Sequence, residues 1–277
     1  MSGDKDQEKK NSTEAKERQS PSAQIVHDTI FAEAETELNR PTSALFWSAL
    51  AAGLSMGISM IAEALLTVHL PDTEWRPLIT NFGYSLGFLI VILGRQQLFT
   101  ENILTPILPL LHRKDFKTFK NVGRLWGTVF IGNLLGTFCI ALVAIHTDVF
   151  ETDIKLAFLD LGREALKPSF LNIFLGGIFA GWLIALLVWL LPFAETARVW
   201  VIIIITYIIG VGSFSHVIAG STEVFSLLVN GDISTLTTIM DFLLPTLLGN
   251  VLGGVLLVAV LNHAQTVAGE EDEAIDM

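Results

Sequence analysis

The sequence predicts an all-α integral membrane protein, with six transmembrane segments arranged as two inverted three-helix repeats in which segments 2 and 5 are broken. Three observations predict this fold. The chain is 51% hydrophobic, and its charges collect between long apolar runs instead of alternating with apolar residues. Two of these runs are interrupted midway by polar and glycine residues. Short motifs from the first half recur in the same order in the second half.

The apolar runs define the membrane domain, which we assign to residues 41–264. A membrane-spanning helix needs roughly 20 mostly apolar residues, and six runs reach that length. They are residues 44–68, 79–111, 122–146, 170–192, 198–230 and 240–262. The two repeats are residues 44–146 and 170–262, and the longest loop, residues 147–169, joins them.

The ends of the chain carry most of the acidic residues behind its net charge of −11. Residues 1–23 predict a disordered cytoplasmic tail, residues 24–40 an amphipathic cytoplasmic helix and residues 265–277 an acidic C-terminal tail. With both termini inside, the inner segments hold twelve Lys and Arg residues and the outer loops hold four. This excess predicts cytoplasmic N and C termini.

The interruptions in segments 2 and 5 are the candidates for the working centre. They fall at residues 94–97 and 210–215. Broken backbone at membrane depth must be buried in protein or line a polar cavity, because each unpaired backbone group costs several kcal/mol. We expect Thr100 to begin a half-helix whose free N–H groups suit an anion. The alternative is that its hydroxyl only caps this half-helix.

The internal repeat rests on three motif pairs at nearly one offset. Each half has three segments, so the second half enters the membrane from the opposite side. The pairs are Gly53 and Gly57 with Gly177 and Gly181 (offset 124), Thr100-Glu101 with Thr222-Glu223 (offset 122), and residues 132–136 with 249–253 (offset 117).

Few ionisable residues lie at membrane depth. His216 is the only histidine deep inside a segment, which makes it a functional candidate; the alternative is a core histidine bonded to backbone. Arg95 is expected to pair with Glu101 or Glu223, as a structural ion pair that braces the break. Lys167 can raise the anion concentration at a pore mouth, or be an ordinary solvated lysine.

The sequence has no cluster of metal ligands, no phosphate-binding glycine loop, no nucleophile triad and no basic aromatic patch. We therefore expect no enzymatic activity, no catalytic residue, no metal, no cofactor and no nucleic-acid partner. The prediction is transport of a small monovalent anion across the bilayer. Two alternatives remain open: a pore for water, glycerol or a gas, widened by Gly181 and Gly220, and a non-conducting membrane scaffold or sensor.

Four ordered motifs carry a family resemblance that covers roughly residues 40–264. Residues 97–100, 132–136, 213–216 and 248–254 resemble the signature segments of the formate/nitrite transporter family. The resemblance implies an aquaporin-like protomer with its own pore, assembled as a homopentamer in the bacterial inner membrane. It also implies formate, nitrite or a similar weak-acid anion as the permeant.

The resemblance also implies a site. His216 would lie beside Thr100, between two apolar constrictions, and act as proton donor so that a neutral acid crosses the apolar rings. The implied cytoplasmic constriction contains Phe88 and Tyr84, and the periplasmic one contains Leu98 and Phe99 with Ile209 facing them. Departures from the family pattern at residues 95–97, Gly181, Ser215 and Gly220 resemble a less characterised branch of the family.

Overall fold

The computed structural model of the protein describes residues 22–256. The predicted acidic tail, the end of segment 6 and all but the last two residues of the predicted N-terminal tail lie outside this range. The helices are α1 (Ala23–Leu38), α2 (Thr42–His69), α3 (Arg76–Leu93), α4 (Ile107–Arg113), α5 (Phe116–His146), α6 (Thr152–Leu166), α7 (Phe170–Leu190), α8 (Arg198–Val211), α9 (Ala219–Asn230) and α10 (Thr235–Gly254).

Five of these helices, α2, α3, α5, α7 and α10, are long and apolar enough to cross a membrane. The predicted segment 198–230 is not among them, because it consists of the two shorter helices α8 and α9. The predicted segment 79–111 is likewise divided into α3 and α4. The all-helical fold with two broken segments is therefore confirmed. Within residues 22–256 only five helices are long enough for a crossing, and one of them, α3, is the first part of a broken segment.

Helix α1 lies across one end of the membrane domain. The Ser22 hydroxyl caps it by accepting from the Ile25 N–H. An ion pair of 2.7 Å joins Glu35 to Arg113 at the end of α4. Arg124 of α5 donates to the carbonyl of Leu38 at 2.8 Å. These contacts fix α1 to α4, which follows the first break, and to α5, the third segment of the first repeat.

Two helix-helix contacts reveal the register of the repeat. Helix α2 packs on α3 and α5, and α7 packs on α8 and α10 in the same way. A Cβ on Gly53 would collide with the carbonyl oxygen of Asn133, and a Cβ on Gly181 with that of Asn250. Gly53 therefore corresponds to Gly181, an offset of 128. The predicted offset of 124 is wrong by one helical turn, but the duplication itself is confirmed.

Both broken segments end their first helix with the same left-handed turn. At the end of α3, Arg95 has φ 51° and the Gln96 N–H reaches back to the Val91 carbonyl at 3.0 Å. At the end of α8, Ser213 has φ 49° and is followed by an equivalent 3.0 Å bond. This is a Schellman C-cap, in which glycine is the usual left-handed residue. A side chain there costs about 1–2 kcal/mol.

These turns correspond at an offset of 118, since Arg95 and Ser213 occupy the same position in the two repeats. At this offset Thr100 matches Ile218 and not Thr222. The predicted correspondence of Thr100-Glu101 with Thr222-Glu223 is therefore wrong. Thr222 and Glu223 lie one helical turn further along, inside α9.

Helix α6 occupies the segment that the sequence analysis treated as a long loop. Its apolar residues Ile154 and Phe158 are buried, and it packs on α2 and α9. The spacing of Ile154, Phe158 and Leu161 is that of one helical face, and this signal could have identified the helix. Lys167 stands at the C-cap of α6, so its position is set by this helix.

Candidate functional site

The first break is held by one buried carboxamide, that of Asn133 in α5. Its oxygen accepts from the Phe99 N–H at 2.8 Å. Its nitrogen donates to the Ala49 carbonyl at 2.7 Å and to the Gln97 carbonyl at 2.8 Å. The backbone of the break is thereby satisfied by protein, as backbone at membrane depth requires.

The second break is held in the same way by Asn250 in α10. Its oxygen accepts from the Val217 N–H at 2.9 Å. Its nitrogen donates to the carbonyls of Gly177 at 2.8 Å and Ser215 at 2.9 Å. Each asparagine thus joins three segments of its own repeat, so each break keeps a defined shape.

The expected half-helix beginning at Thr100 is not formed. Residues Glu101–Ile103 make a single 3-10 turn, and α4 begins only at Ile107. The Thr100 hydroxyl makes no capping bond to this turn. The prediction of a half-helix with free N–H groups is therefore wrong, as is the alternative that Thr100 caps it, because the chain turns once more before α4 begins.

The two breaks meet where Thr100 contacts His216. The Thr100 Oγ1 lies 2.8 Å from His216 Nε2, and the Ala219 N–H donates to His216 Nδ1 at 3.1 Å. Because Nδ1 accepts, this network assigns the ring proton to Nε2, which donates to the threonine. The threonine keeps its own hydroxyl hydrogen, which is free to be donated to a third group. Both side chains are almost fully buried.

Apolar side chains surround this pair. The ring of Phe88 lies edge-on to that of His216, with centroids 5.0 Å apart, and Tyr84 lies one turn earlier on α3, 5.4 Å from Phe88. All five apolar residues named from the resemblance are buried: Tyr84, Phe88, Leu98, Phe99 and Ile209.

One cavity opens directly onto His216. It measures about 230 Å³, and we call it the Lys167 cavity because Lys167 lines it. The Lys167 ammonium is bonded to Glu164 at 3.2 Å. Glu63 and Glu223 also line this cavity. The cavity therefore holds one lysine that is already paired and three carboxyl groups.

The resemblance grouped two of the apolar residues wrongly. Tyr84 and Ile209, which were expected in opposite constrictions, both line the Lys167 cavity. They lie close together because α3 packs against α8. Leu98 and Phe99 belong to the first break, whose neighbouring residues Gln97 and Glu101 line a different cavity.

This second cavity measures about 390 Å³ and is lined by Arg95; we call it the Arg95 cavity. Ile92 lines it, and Asn81 lines the Lys167 cavity. These residues are eleven positions apart on α3, about 16 Å at the helical rise, so the two cavities lie at different depths on either side of His216.

The predicted ion pair of Arg95 is absent from residues 22–256, in which no carboxylate oxygen lies within 4.0 Å of its guanidinium. Glu223 cannot be that partner, because it lines the other cavity. Glu101 does line the Arg95 cavity but forms no ion pair with Arg95. The premise of a buried charge also fails, since Arg95 is exposed within the cavity.

Residues 23–264 match the family model described as formate/nitrite transporter, which covers most of the chain. The chain belongs to the formate/nitrite transporter family. Among its relatives is the inner membrane protein YfdC of Escherichia coli, 42% identical over 246 residues, with 88% of this chain and 78% of YfdC covered. The chain is therefore a membrane transport protein, and the expectation that it is not an enzyme follows from this membership.

Solved structures of formate/nitrite transporter proteins share the fold. The pentameric formate channel with formate bound gives a TM-score of 0.71 at 24% identity, covering 82% of this chain and 98% of the channel. An FNT family ion channel gives a TM-score of 0.77 at 21% identity, covering 88% and 99%. The inverted arrangement of broken segments is thus that of this family.

Two glycines that depart from the family pattern do not widen the lumen. A Cβ on Gly181 would strike the carbonyl of Asn250, so this glycine permits close contact between α7 and α10. Gly220 lines the Lys167 cavity, but the ring of Phe242 fills the space beside it. Phe242 lies in a π-helical turn, Thr238–Leu243, just before Pro245, whose missing N–H disrupts the helix ladder. Phe242 was not among the residues predicted from the sequence to line the site.

Proposed function

We propose that this formate/nitrite transporter family member passes a small monovalent weak-acid anion, such as formate or nitrite, between the Lys167 and Arg95 cavities. The Thr100–His216 hydrogen bond carries the proposal. It is the polar contact between the two breaks, it is buried beside Phe88, and it lies between the two cavities. An anion between apolar residues suffers a large desolvation penalty, which a hydrogen-bond donor at the midpoint reduces.

His216 acts through Thr100 in this proposal. With Nε2–H directed at Thr100, the threonine hydroxyl is oriented to donate to the permeant. Full transfer of a proton needs a second proton on His216 at Nδ1. That atom can take it only by releasing the Ala219 N–H. The neutral pair therefore supplies a hydrogen bond, and complete proton transfer is coupled to breaking the Ala219 contact.

The apolar constrictions consist of Phe88, Leu98 and Phe99 toward the Arg95 cavity and of Tyr84 and Ile209 toward the Lys167 cavity. Burial of all five residues supports a constriction, and the division is supported by Tyr84 and Ile209 lining the Lys167 cavity. Lys167 attracts anions only when Glu164 releases it, since the two side chains are paired.

The proposal includes location and assembly. The relative YfdC is an inner membrane protein, and one solved relative is a pentameric formate channel. We infer a homopentamer in a bacterial inner membrane. The excess of Lys and Arg in the segments after α1 and around α4 supports N and C termini on the cytoplasmic side. The Arg95 cavity then faces the cytoplasm, because α1 lies at its mouth.

The test is flux of formate and of nitrite into proteoliposomes between pH 5 and 8, comparing the parent protein with His216→Phe. The exposed His69, at the end of α2, offers a matched control as His69→Gln. We expect flux that rises as the pH falls, collapses in His216→Phe and is unchanged in His69→Gln.

Full flux in His216→Phe would contradict the role of the histidine. Glycerol or water flux without pH dependence, and no anion flux, would support a neutral-solute pore instead. No flux of any solute would favour the non-conducting scaffold.

A further inference from the structure

The Arg95 cavity carries a second cationic side chain, Arg198. It stands at the start of α8, and its Nη2 donates to the Leu191 carbonyl at 3.2 Å. Within residues 22–256 neither Arg95 nor Arg198 forms an ion pair. Guanidinium groups remain charged at every physiological pH. The cavity therefore keeps two positive charges whatever the protonation of the carboxyl groups around it.

Three polar atoms of residues that line this cavity have no hydrogen-bond partner. They are Arg198 Nε, Gln96 Oε1 and Thr105 Oγ1, and Thr105 is 91% buried. A buried polar atom without a partner costs about 1–3 kcal/mol. All three atoms belong to side chains that line the cavity, so a group bound there is a candidate partner for them. Residues that line one cavity thus carry one unpartnered donor, one unpartnered acceptor and one hydroxyl that can do either.

The carboxyl groups at the cavity do not cancel the arginines by pairing. Glu37, which lines the cavity at its α1 end, is bonded to Arg40 at 3.1 Å. Glu33 and Glu101 line the cavity without an ion pair among the described residues. Carboxyl groups can be neutralised by a proton, whereas guanidinium groups cannot. The two guanidinium charges are therefore fixed, whereas the negative charges of Glu33 and Glu101 disappear when these groups are protonated.

We propose that the Arg95 cavity is a docking site for a small monocarboxylate, which it binds before the anion reaches Leu98, Phe99 and Thr100. Arg95 binds the carboxylate, and Arg198 gives a second charged contact. Thr105 and Gln96 supply the remaining hydrogen bonds to the bound group. Gln96 Oε1 is an acceptor and suits the O–H of the undissociated acid. A group that exists as both anion and acid matches this mixed set of donors and acceptors.

The same comparison excludes the Lys167 cavity as an equivalent site. Its lysine is paired, and Glu63, Glu164 and Glu223 line it. Three glutamates line each cavity, but among residues 22–256 only the Arg95 cavity has cationic side chains without an ion pair, so we expect stronger anion binding there. This inference rests on the proposed transport function for its biological meaning, but binding can be measured without transport.

The test is equilibrium binding of radiolabelled formate to the purified parent protein and its variants, at constant ionic strength. Arg95→Gln and Arg198→Gln should each raise the half-saturating concentration about tenfold or more, as expected for loss of a charged hydrogen bond. Thr105→Val should raise it several-fold, and Thr105→Ser should restore it. Equal binding in the parent and both arginine variants would overturn the inference.

A matched pair of glycine variants separates binding from folding. Arg95→Gly removes the guanidinium but also relieves the left-handed strain, so we expect weaker binding with an equal or higher Tm. Ser213→Gly relieves the same strain in the other repeat and should leave formate binding unchanged. Loss of binding only in variants whose Tm falls would overturn the inference.

Failure of the inference and failure of the proposed function give different results. If formate binding does not depend on the arginines but flux still needs His216, the docking site is excluded and the transport proposal stands. Arginine-dependent formate binding without any formate flux supports the docking site and overturns formate as permeant.

Discussion

Asn133 and Asn250 make the same three hydrogen bonds in the two repeats. Each carboxamide accepts from an N–H of the break and donates to one carbonyl of the break and one of the first helix of its repeat. Two side chains therefore hold the irregular backbone that the pore requires.

Loss of either asparagine should destabilise the protein by several kcal/mol. Asn133→Ala and Asn250→Ala each leave one N–H and one carbonyl of the break without a partner, at about 1–3 kcal/mol apiece, while the helix carbonyl of Ala49 or Gly177 keeps its helical bond. We expect similar falls in Tm for both variants, measured by thermal unfolding in detergent. Asn172→Ala serves as the control, since the Asn172 side chain is exposed. A fall in Tm no larger than that of the control would show that the two asparagine side chains are not needed for stability.

The close helix contacts at Gly53 and Gly181 should not tolerate a methyl group. Gly53→Ala and Gly181→Ala would push α2 from α5 and α7 from α10, because each Cβ meets a carbonyl oxygen. A loss of about 1–3 kcal/mol is expected from overpacking. Gly127→Ala is the matched control, since nothing lies within 4 Å of its Cβ, and better helix propensity should make it neutral or stabilising. Equal Tm values for all three variants would contradict the close contacts.

The hydroxyl of Thr100 should matter more than its size. Thr100→Val removes the acceptor of His216 Nε2–H and the hydrogen offered to the permeant, so anion flux should fall about tenfold or more. Thr100→Ser keeps the hydroxyl and should restore most of the flux. Proteoliposome flux with matched protein amounts measures both. Equal flux in the valine and serine variants would rule out a role for the hydroxyl.

Acid should loosen the start of α5. Asp115 caps this helix, and hydrogen bonds from the Thr118 N–H and hydroxyl lower the pKa of its carboxyl. A carboxyl with a lowered folded-state pKa adds stability above its unfolded pKa and loses it as the pH falls. The difference in Tm between the parent and Asp115→Ala should therefore shrink below about pH 4. A constant difference down to pH 3 would contradict this.

Sequence reasoning identified the broken segments because their length and their glycines are local features. It found the repeat but not its register, because α2 and α7 each carry glycines four residues apart, so Gly53 fits either Gly177 or Gly181. Only the partners Asn133 and Asn250 decide between them.

Two other features could not be predicted, because they also depend on the folded structure and not on a local sequence pattern. The motif around Asn133 marked the repeat, but its bonds run to residues 34 and 84 positions away along the chain, which no local pattern encodes. Arg95 was expected in an ion pair because a buried charge needs a partner. The left-handed turn leaves it exposed in a cavity instead.

The Thr100–His216 bond also shows that the two repeats have diverged at the centre of the fold. With the breaks aligned at an offset of 118, the counterpart of His216 is Leu98 and that of Thr100 is Ile218. A symmetric ancestor assembled from two identical halves would have carried the bond twice or not at all. The single bond seen now therefore results from divergence of the two copies, either by gain of the polar pair on one side or by loss of a second pair.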